Sequence, residues 1–239
     1  MAKAGGRSAS RRGLPVAEVV RRLHQEYGER PPRKRLPPID ELIETILSQN
    51  TSDLNSGRAY AGLLSRFSSL EAVAEAPEAE VAEAIKVGGL ARIKAPRIQA
   101  VLREVLQRRG DLDLGFLAGL PLEEARAWLR SLPGVGPKTA ACVLLFSLDL
   151  PALPVDTHVF RVGQRLGLLS PRTTPEQAHA ILESQVAPQE VYTLHMGLII
   201  HGRQVCHARR PECARCLFAD RCPARPPLEA KAAARVPRP

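Results

Sequence analysis

The stretch LPGVGPKTA, from Leu132 to Ala140, decides the fold. The flanking segments EEARAWLRS (123–131) and KTAACVLLFSL (138–148) carry apolar residues at helical spacing, which predicts a turn from Leu132 to Pro137 between two helices. Gly134 and Gly136 would permit positive φ angles and a close approach of backbone N–H groups to a phosphate. The stretch therefore predicts a helix-hairpin-helix that binds the DNA backbone.

Lys138 opens the second helix of this hairpin. The helix dipole disfavours a positive charge there, and a neutral amine is a nucleophile. Lys138 is therefore a candidate nucleophile. The alternative is a solvated lysine or a plain phosphate contact, and this segment alone favours the alternative.

Asp156 follows eighteen residues later, in LPVDTHVFRV (153–162). It is predicted to cap a helix from Thr157 to Leu166. A carboxylate fixed there and aimed at Lys138 would also stabilise positive charge that develops on a sugar. We expect His158 to be structural, since the sequence offers it no nucleophile to activate.

Composition restricts the partners of the chain. Its 239 residues include 34 Lys and Arg against 25 Asp and Glu, an excess that favours nucleic acid or anionic membrane surfaces.

No apolar run reaches the length of a membrane span, and the N-terminus lacks a hydrophobic signal region. The expectation is a soluble intracellular protein, cytoplasmic or associated with the nucleoid. Residues 1–13 are expected to form a disordered basic arm, with a transit peptide as the alternative.

The hydrophobic pattern predicts an all-α protein of roughly ten helices, because apolar residues recur at helical spacing and no alternating strand pattern appears. The prolines Pro77, Pro121 and Pro175 each precede a helical segment, and Thr174 is predicted to cap the last of these. RPPRKRLPP (30–38) is predicted to be an extended basic connector.

Four of the five cysteines lie close together near the C-terminus, at Cys206, Cys213, Cys216 and Cys222. Four thiolates at the spacing C-x6-C-x2-C-x5-C favour an iron–sulfur cluster, with structural zinc as the alternative. Arg209 and Arg210 lie between the first two ligands and would present cations to phosphates, unless they are ordinary solvated side chains. The fifth cysteine, Cys142, is predicted to be buried in a helix.

Several motifs occur together in the same chain. They are ILSQNTSD (46–53), VGGLARIKAPRI (87–98), LPGVGPKTA (132–140), VDTHVFRV (155–162), HGRQVC (201–206) and the cysteine spacing. With Lys138 and Asp156 in this order, the chain resembles the endonuclease III family of helix-hairpin-helix DNA glycosylases from about Leu14 to Cys222.

The resemblance implies a two-lobed all-α fold with a DNA cleft between the lobes and a [4Fe–4S] cluster on the four cysteines. It implies that Lys138 attacks C1′ of the deoxyribose, while Asp156 stabilises the sugar cation and assists deprotonation of the lysine. The implied activity is combined DNA glycosylase and abasic-site lyase action on oxidised pyrimidines in double-stranded DNA, by a monomer. The alternatives are a mismatch or adenine glycosylase of the same fold and a non-catalytic iron–sulfur DNA-binding protein.

The expected domains follow from the same resemblance. One lobe comprises 14–38 and 157–223 and holds the cluster, and the other comprises 39–156 with the hairpin. The composition of 224–239, which is basic and poor in aromatic and branched aliphatic residues, predicts a mostly disordered tail. The residues implied to contact DNA are Gln49, Asn50, Leu90, Leu132, Gly134, Val135, Gly136, Arg209 and Arg210. Gln49 or Asn50 would fill the gap left by an extruded base or touch the opposite strand. Leu90 would enter the base stack, with packing in the core as the alternative. The chain departs from the family at Ala91, where a tyrosine is common, and at Pro137, where a basic residue is frequent.

Overall fold

The computed structural model describes residues 13–28 and 35–225, and every regular element within these ranges is helical. The α-helices of this described part are α1 (Val16–Tyr27), α2 (Pro38–Leu47), α3 (Asp53–Arg66), α4 (Leu70–Glu75), α5 (Glu78–Ala84), α6 (Ala91–Arg109), α7 (Leu122–Arg130), α8 (Pro137–Phe146), α9 (Thr157–Leu166), α10 (Pro175–Glu183) and α11 (Val191–Gln204). Short 3-10 helices lie at Lys86–Gly88, Gly115–Gly119 and Pro188–Glu190. The predicted all-α fold class is confirmed.

Several helices begin where the sequence places a capping residue or a proline. The hydroxyls of Ser52 and Ser69 each accept a backbone N–H from the first turn of α3 and α4. Thr174 forms a capping box with Gln177, and Pro175 is the first residue of α10, as predicted. A proline fits this position because its missing N–H has no partner to lose within the helix.

Among the described residues, buried apolar side chains form two clusters. The central core is built by α2 to α8 and includes Leu42 and Leu144. The terminal core is built by α1, α9, α10 and α11 and includes Leu23 and Phe218. Helix α8 contributes to both, because Leu145 packs in the terminal core. Helix α8 therefore lies at the junction between the two cores.

The loop that follows α11 folds back onto α1. The Arg22 guanidinium donates to the backbone oxygen of Leu217 at 2.9 Å and to the Asp220 carboxylate at 2.6 Å. The same guanidinium holds the pKa of Asp220 below its usual range. Phe218 between them is fully buried. Helix α1 thus anchors the loop that carries the cysteines.

The limits of the terminal segments need one correction. Pro38, predicted to end the basic connector, is instead the first residue of α2. Residues 30–34 of that connector lie outside the described ranges, as do 1–12 of the predicted arm and 226–239 of the predicted tail. Within the ranges that are described, no helix has both the length and the apolar character needed to cross a membrane.

Candidate active site

The predicted hairpin is formed by α7 and α8, with residues 131–136 as the turn between them. Gly134 has a φ of +72°, a conformation that favours glycine. A Cβ there would lie 2.9 Å from Nε of Arg97 and would displace that side chain. The positive φ that the sequence would permit at Gly136 is not used. Gly136 has a φ of −88° and a ψ of 176°, extended values open to any residue. Its backbone instead caps α8 from a position where a Cβ would meet no atom within 4 Å.

The remaining hairpin residues divide between core and cleft. Leu132 and Val135 are buried in the central core, so only their backbone atoms remain for an outside contact. Pro137 is the first residue of α8, which gives this departure from the family a structural reason. Lys138 is the next residue; its side chain is half-buried and lines a cleft. Cys142, one turn further, is buried in α8 as predicted.

The cleft beside Lys138 has a volume of about 260 Å³. Helices α2, α3, α8 and α11 supply its walls, together with Asp156 at the start of α9. Both cores therefore contribute to it. Lys138 and Asp156, which the sequence sets eighteen residues apart, line this one cleft.

Asp156 is the N-cap of α9, as predicted. Its Oδ1 accepts the backbone N–H groups of His158 at 2.9 Å and of Val159 at 2.7 Å. These two bonds fix the carboxylate at the positive end of a helix dipole, a favourable place for a negative charge. The carboxylate is therefore held in one orientation at the cleft wall.

Further charged groups line the same cleft. Helix α2 contributes Glu41 and Glu44, of which Glu41 is buried and accepts a hydrogen bond from Thr45. Arg203 of α11 pairs with Asp53 at the start of α3, with 2.8 Å between nitrogen and oxygen. This pair connects the helices on opposite sides of the cleft, and Asp53 raises the pKa of the Arg203 guanidinium.

His195 of α11 is a titratable group of this cleft that the sequence does not point to. It is buried, with 2% of its surface exposed, and its Nδ1 lies 2.8 Å from the backbone oxygen of Pro154. Burial lowers its pKa to about 4; the charge of Asp156 opposes this effect and that of Lys138 adds to it. No sequence signal marks His195, since a single histidine in the apolar run LHMGLII (194–200) is typical of core packing.

Two sharp turns on α2 and α6 carry the residues implied to enter the DNA stack. Asn50, in the turn after α2, is exposed with a φ of +55°. Leu90, directly before α6, is 48% exposed with a φ of +50°. Leucine rarely adopts a left-handed conformation, which costs about 1–2 kcal/mol. Val87 and Ile93 are exposed on either side of Leu90, which makes this turn a small apolar projection.

Two basic side chains of α6 hold these turns together. Lys94 is 2% exposed, and its Nζ donates to the backbone oxygens of Leu47 at 2.7 Å and of Gly88 at 2.9 Å. Burial lowers the pKa of this amine. Arg97 donates to Oε1 of Gln49 at 2.8 Å. Its side chain also occupies the position next to Gly134 that a Cβ would reach. The turn after α2, the Leu90 turn and the hairpin are thus linked through α6.

The four clustered cysteines line a second cavity, of about 260 Å³, away from Lys138. Arg165 of α9 reaches into this loop and donates to Sγ of Cys206 at 3.2 Å and to the backbone oxygen of His207 at 2.7 Å. The backbone N–H of Phe218 donates to Sγ of Cys216 at 3.4 Å. Hydrogen bonds to sulfur of this kind suit thiolate ligands. In the described part of the chain, no group of three or more His, Cys, Asp or Glu side chains is positioned to hold a single metal ion.

The loop between the first two cysteines carries both predicted arginines at the surface. Arg209 and Arg210 are exposed, and Arg210 has a φ of +53°. They lie on the cysteine loop and not in the wall of the Lys138 cleft.

The model of the HhH-GPD superfamily base excision DNA repair proteins matches residues 43–188 of the chain. Endonuclease III of Thermotoga maritima is 33% identical over 209 residues, which cover 85% of this chain and 92% of that protein. A longer relative from Arabidopsis thaliana is 37% identical over 165 residues, and the match covers 69% of this chain but 56% of the relative. A solved structure of a trapped endonuclease III–DNA covalent intermediate has a TM-score of 0.76 at 26% identity, covering 87% of this chain and 94% of that one.

These matches, with the hairpin and the cleft, define a helix-hairpin-helix protein of base excision DNA repair. The chain belongs to the HhH-GPD superfamily and, within it, to the endonuclease III family.

Proposed function

We propose that this chain is a bifunctional DNA glycosylase and abasic-site lyase that acts on oxidised pyrimidines in double-stranded DNA. The observation that carries the proposal is the joint presence of Lys138 and Asp156 at one cleft, each at the start of a helix. An amine and a fixed carboxylate at one cleft are the pair required to attack a sugar carbon and to stabilise the charge that develops there. The trapped covalent endonuclease III–DNA intermediate shows covalent chemistry for that relative.

The chemistry begins with extrusion of the damaged nucleotide, because a base inside the duplex is out of reach of Lys138. The neutral Lys138 amine forms a bond to C1′ as the glycosidic bond breaks, and the base leaves with that electron pair and takes up a proton. The negative charge of Asp156 stabilises the cationic sugar. Opening of the sugar ring gives a Schiff base between Nζ and C1′.

Strand cleavage follows from the same Schiff base. Its positive charge acidifies the protons on C2′, so that a base can remove one of them. The electron pair forms the C2′–C3′ double bond, and the 3′ phosphate leaves by β-elimination. Hydrolysis of the Schiff base then releases Lys138. A glycosylase that used water alone would not need an amine at this position.

We propose that the Leu90 side chain enters the base stack and that Gln49 or Asn50 fills the gap left by the extruded base. This assignment is supported by the exposed apolar projection around Leu90 and by the links of Lys94 and Arg97 to both turns. The backbone of Gly134 to Gly136, at the start of α8, supplies N–H groups for a phosphate. Arg209 and Arg210 add exposed positive charge for the DNA backbone.

We propose that Cys206, Cys213, Cys216 and Cys222 hold a [4Fe–4S] cluster. The fit rests on four thiols around one cavity and on donors directed at the sulfurs of Cys206 and Cys216. When bound, such a cluster would crosslink the loop through four iron–sulfur bonds. This chain contributes the thiolates, the Arg165 contacts that shape the loop and the arginines at its surface.

The test is reduction by borohydride during reaction with a duplex that contains thymine glycol or an abasic site. Wild-type protein is expected to form a covalent adduct with DNA, and Lys138→Ala to form none while it still binds the duplex. Lys86→Ala is the matched control, because Lys86 is exposed and lies outside the cleft. Equal trapping by wild type and Lys138→Ala would move the nucleophile elsewhere, and no trapping by bound wild type would overturn the lyase activity.

A further inference from the structure

Two buried histidines and one partly buried glutamate hold the extended segment that leads to Asp156. We call this segment, residues 152–155 between α8 and α9, the strap. The Glu183 carboxylate accepts the backbone N–H of Leu153 at 2.6 Å. Nδ1 of His179 lies 2.9 Å from the Leu153 oxygen, and Nδ1 of His195 lies 2.8 Å from the Pro154 oxygen. A carbonyl only accepts, so both imidazoles carry a hydrogen on Nδ1.

The two histidines differ in what else they contact. His195 lines the cleft together with Lys138 and Asp156, and its ring lies 5.6 Å from that of Phe146. His179 is also buried but is not part of the cleft wall. The Leu153 peptide that His179 contacts is held a second time by Glu183, and Glu183 is itself paired with Arg126 at 2.9 Å. Loss of the His179 contact therefore leaves the strap anchored at Leu153.

We propose that His195 is the positioning residue of the catalytic pair: its Nδ1–H bond to Pro154 sets the strap, and thereby Asp156, relative to Lys138. The inference rests on the proposed function of Lys138 and Asp156. Asp156 is held from its C-terminal side by the cap of α9, through Oδ1. His195, on helix α11, holds the chain on the N-terminal side of Asp156 through the oxygen of Pro154, two residues earlier. Asp156 is therefore held from both sides.

Burial keeps the His195 imidazole neutral at physiological pH, since it lowers the pKa to about 4. A neutral ring adds no positive charge beside Lys138, where an additional cation would compete for Asp156. The ring is also nearly closed to solvent, with 2% of its surface exposed. The same side chain therefore orients the strap and adds no charge of its own to the cleft.

Two near-isosteric variants distinguish the roles of the two ring nitrogens of His195. His195→Asn retains a donor at the place of Nδ1 and loses Nε2, whereas His195→Gln carries its amide at the place of Nε2. We expect His195→Asn to keep the rate of borohydride trapping on abasic-site DNA within about threefold of wild type. We expect His195→Gln and His195→Leu to lower it by roughly 100-fold, the effect of a displaced catalytic group. Affinity for a duplex with a non-cleavable abasic analogue should stay within about twofold for all three, because none of them removes a DNA contact.

His179→Leu is the matched control, and it is expected to lose stability but to keep the trapping rate of the folded protein. Wild-type trapping combined with normal rates in both His195→Gln and His195→Leu would overturn the inference and leave the proposed function intact. Rescue by glutamine and not by asparagine would also overturn it, because the nitrogen on the cleft side would then be the one that acts. Should His195→Leu not fold, the Asn and Gln variants decide alone. Wild-type protein that binds the duplex and traps nothing would overturn the proposed function and this role together.

Discussion

Oδ1 of Asp156 lies 2.7 Å from the backbone nitrogen of Val159, so the carboxylate proposed for catalysis also begins helix α9. One side chain thus has a structural and a chemical role, and a simple deletion would confuse the two. The cap needs only an oxygen acceptor, whereas stabilisation of a sugar cation needs a negative charge.

Asp156→Asn is expected to separate these roles, because asparagine caps a helix about as well as aspartate. Its thermal stability should remain near wild type, while the trapping rate on abasic-site DNA falls by roughly 100-fold or more. Asp156→Ala should lose the same activity and, in addition, about 1 kcal/mol of stability through the missing cap. Circular dichroism melting and single-turnover trapping measure the two effects. Full activity in Asp156→Asn would rule out a charge role for this residue.

Arg165 is expected to be needed for the order of the cysteine loop. Its guanidinium donates to Sγ of Cys206 and to the backbone oxygens of His207 and Ala208, at 3.2, 2.7 and 3.0 Å. Arg165→Met keeps much of the side-chain volume and removes these donors, so the purified variant should retain less iron than wild type. Iron analysis checks this, with about four atoms per chain expected for wild type. Arg172→Met, at an exposed position before α10, is the control and should keep its iron. Two iron atoms or none in wild type would contradict the cluster itself.

The sequence predicted the features whose causes are local. The cap of α9 by Asp156, the cap of α10 by Thr174 and the hairpin each depend on residues within a few positions, so short-range rules suffice. The same rules leave the backbone of Gly136 open: a glycine there permits a positive φ, and the chain uses it as an extended cap.

The missed residues are those whose partners are distant in sequence. His195 contacts an oxygen 41 residues away, Lys94 one 47 residues away and Arg97 a side chain 48 residues away. Two of these partners are backbone carbonyls, which every residue has, so no residue type in the sequence marks them. Such contacts become visible only once the helices are packed.

Acid should destabilise the protein in part through His195. Burial lowers its folded pKa to about 4, opposed by the charge of Asp156 and assisted by those of Lys138 and His179, whereas an unfolded histidine titrates near 6.5. Between these values the unfolded chain binds a proton that the folded chain does not, so stability falls as the pH drops from about 6.5 towards 4. The gap corresponds to roughly 3 kcal/mol.

Urea unfolding at several pH values in this window measures the effect. His195→Asn should show a shallower loss of stability than wild type over the same range, because asparagine does not titrate. His179 remains in both proteins, so its own contribution cancels in the difference. Parallel curves for the two proteins would show that His195 takes up its proton equally well in the folded state.

Lys94→Met should loosen the link between the turn after α2 and the Leu90 turn. Two buried carbonyls, of Leu47 and Gly88, would lose their donor, at a cost of about 1–3 kcal/mol. The Leu90 turn would then be held less firmly, so base extrusion should fall more than affinity for undamaged duplex. Fluorescence of 2-aminopurine next to an abasic analogue reports extrusion, and a filter-binding titration reports affinity. A variant with reduced stability and normal extrusion would limit Lys94 to a structural role.

Leu90→Gly is expected to raise stability and to lower activity. Leucine at a φ of +50° is strained, and glycine would relieve about 1 kcal/mol or more of that strain, offset in part by its greater flexibility when unfolded. The exposed side chain contributes little to the core, since 48% of it faces solvent. Its loss should nevertheless reduce extrusion of a thymine glycol by roughly tenfold or more, because an apolar side chain that fills the stack offsets a few kcal/mol of unstacking. Val87→Gly, at an exposed neighbour without a left-handed backbone, should show no gain in melting temperature. Stability and activity are therefore expected to move in opposite directions. A Leu90→Gly variant that melts higher and still excises base at the wild-type rate would mean that the Leu90 side chain has no part in extrusion.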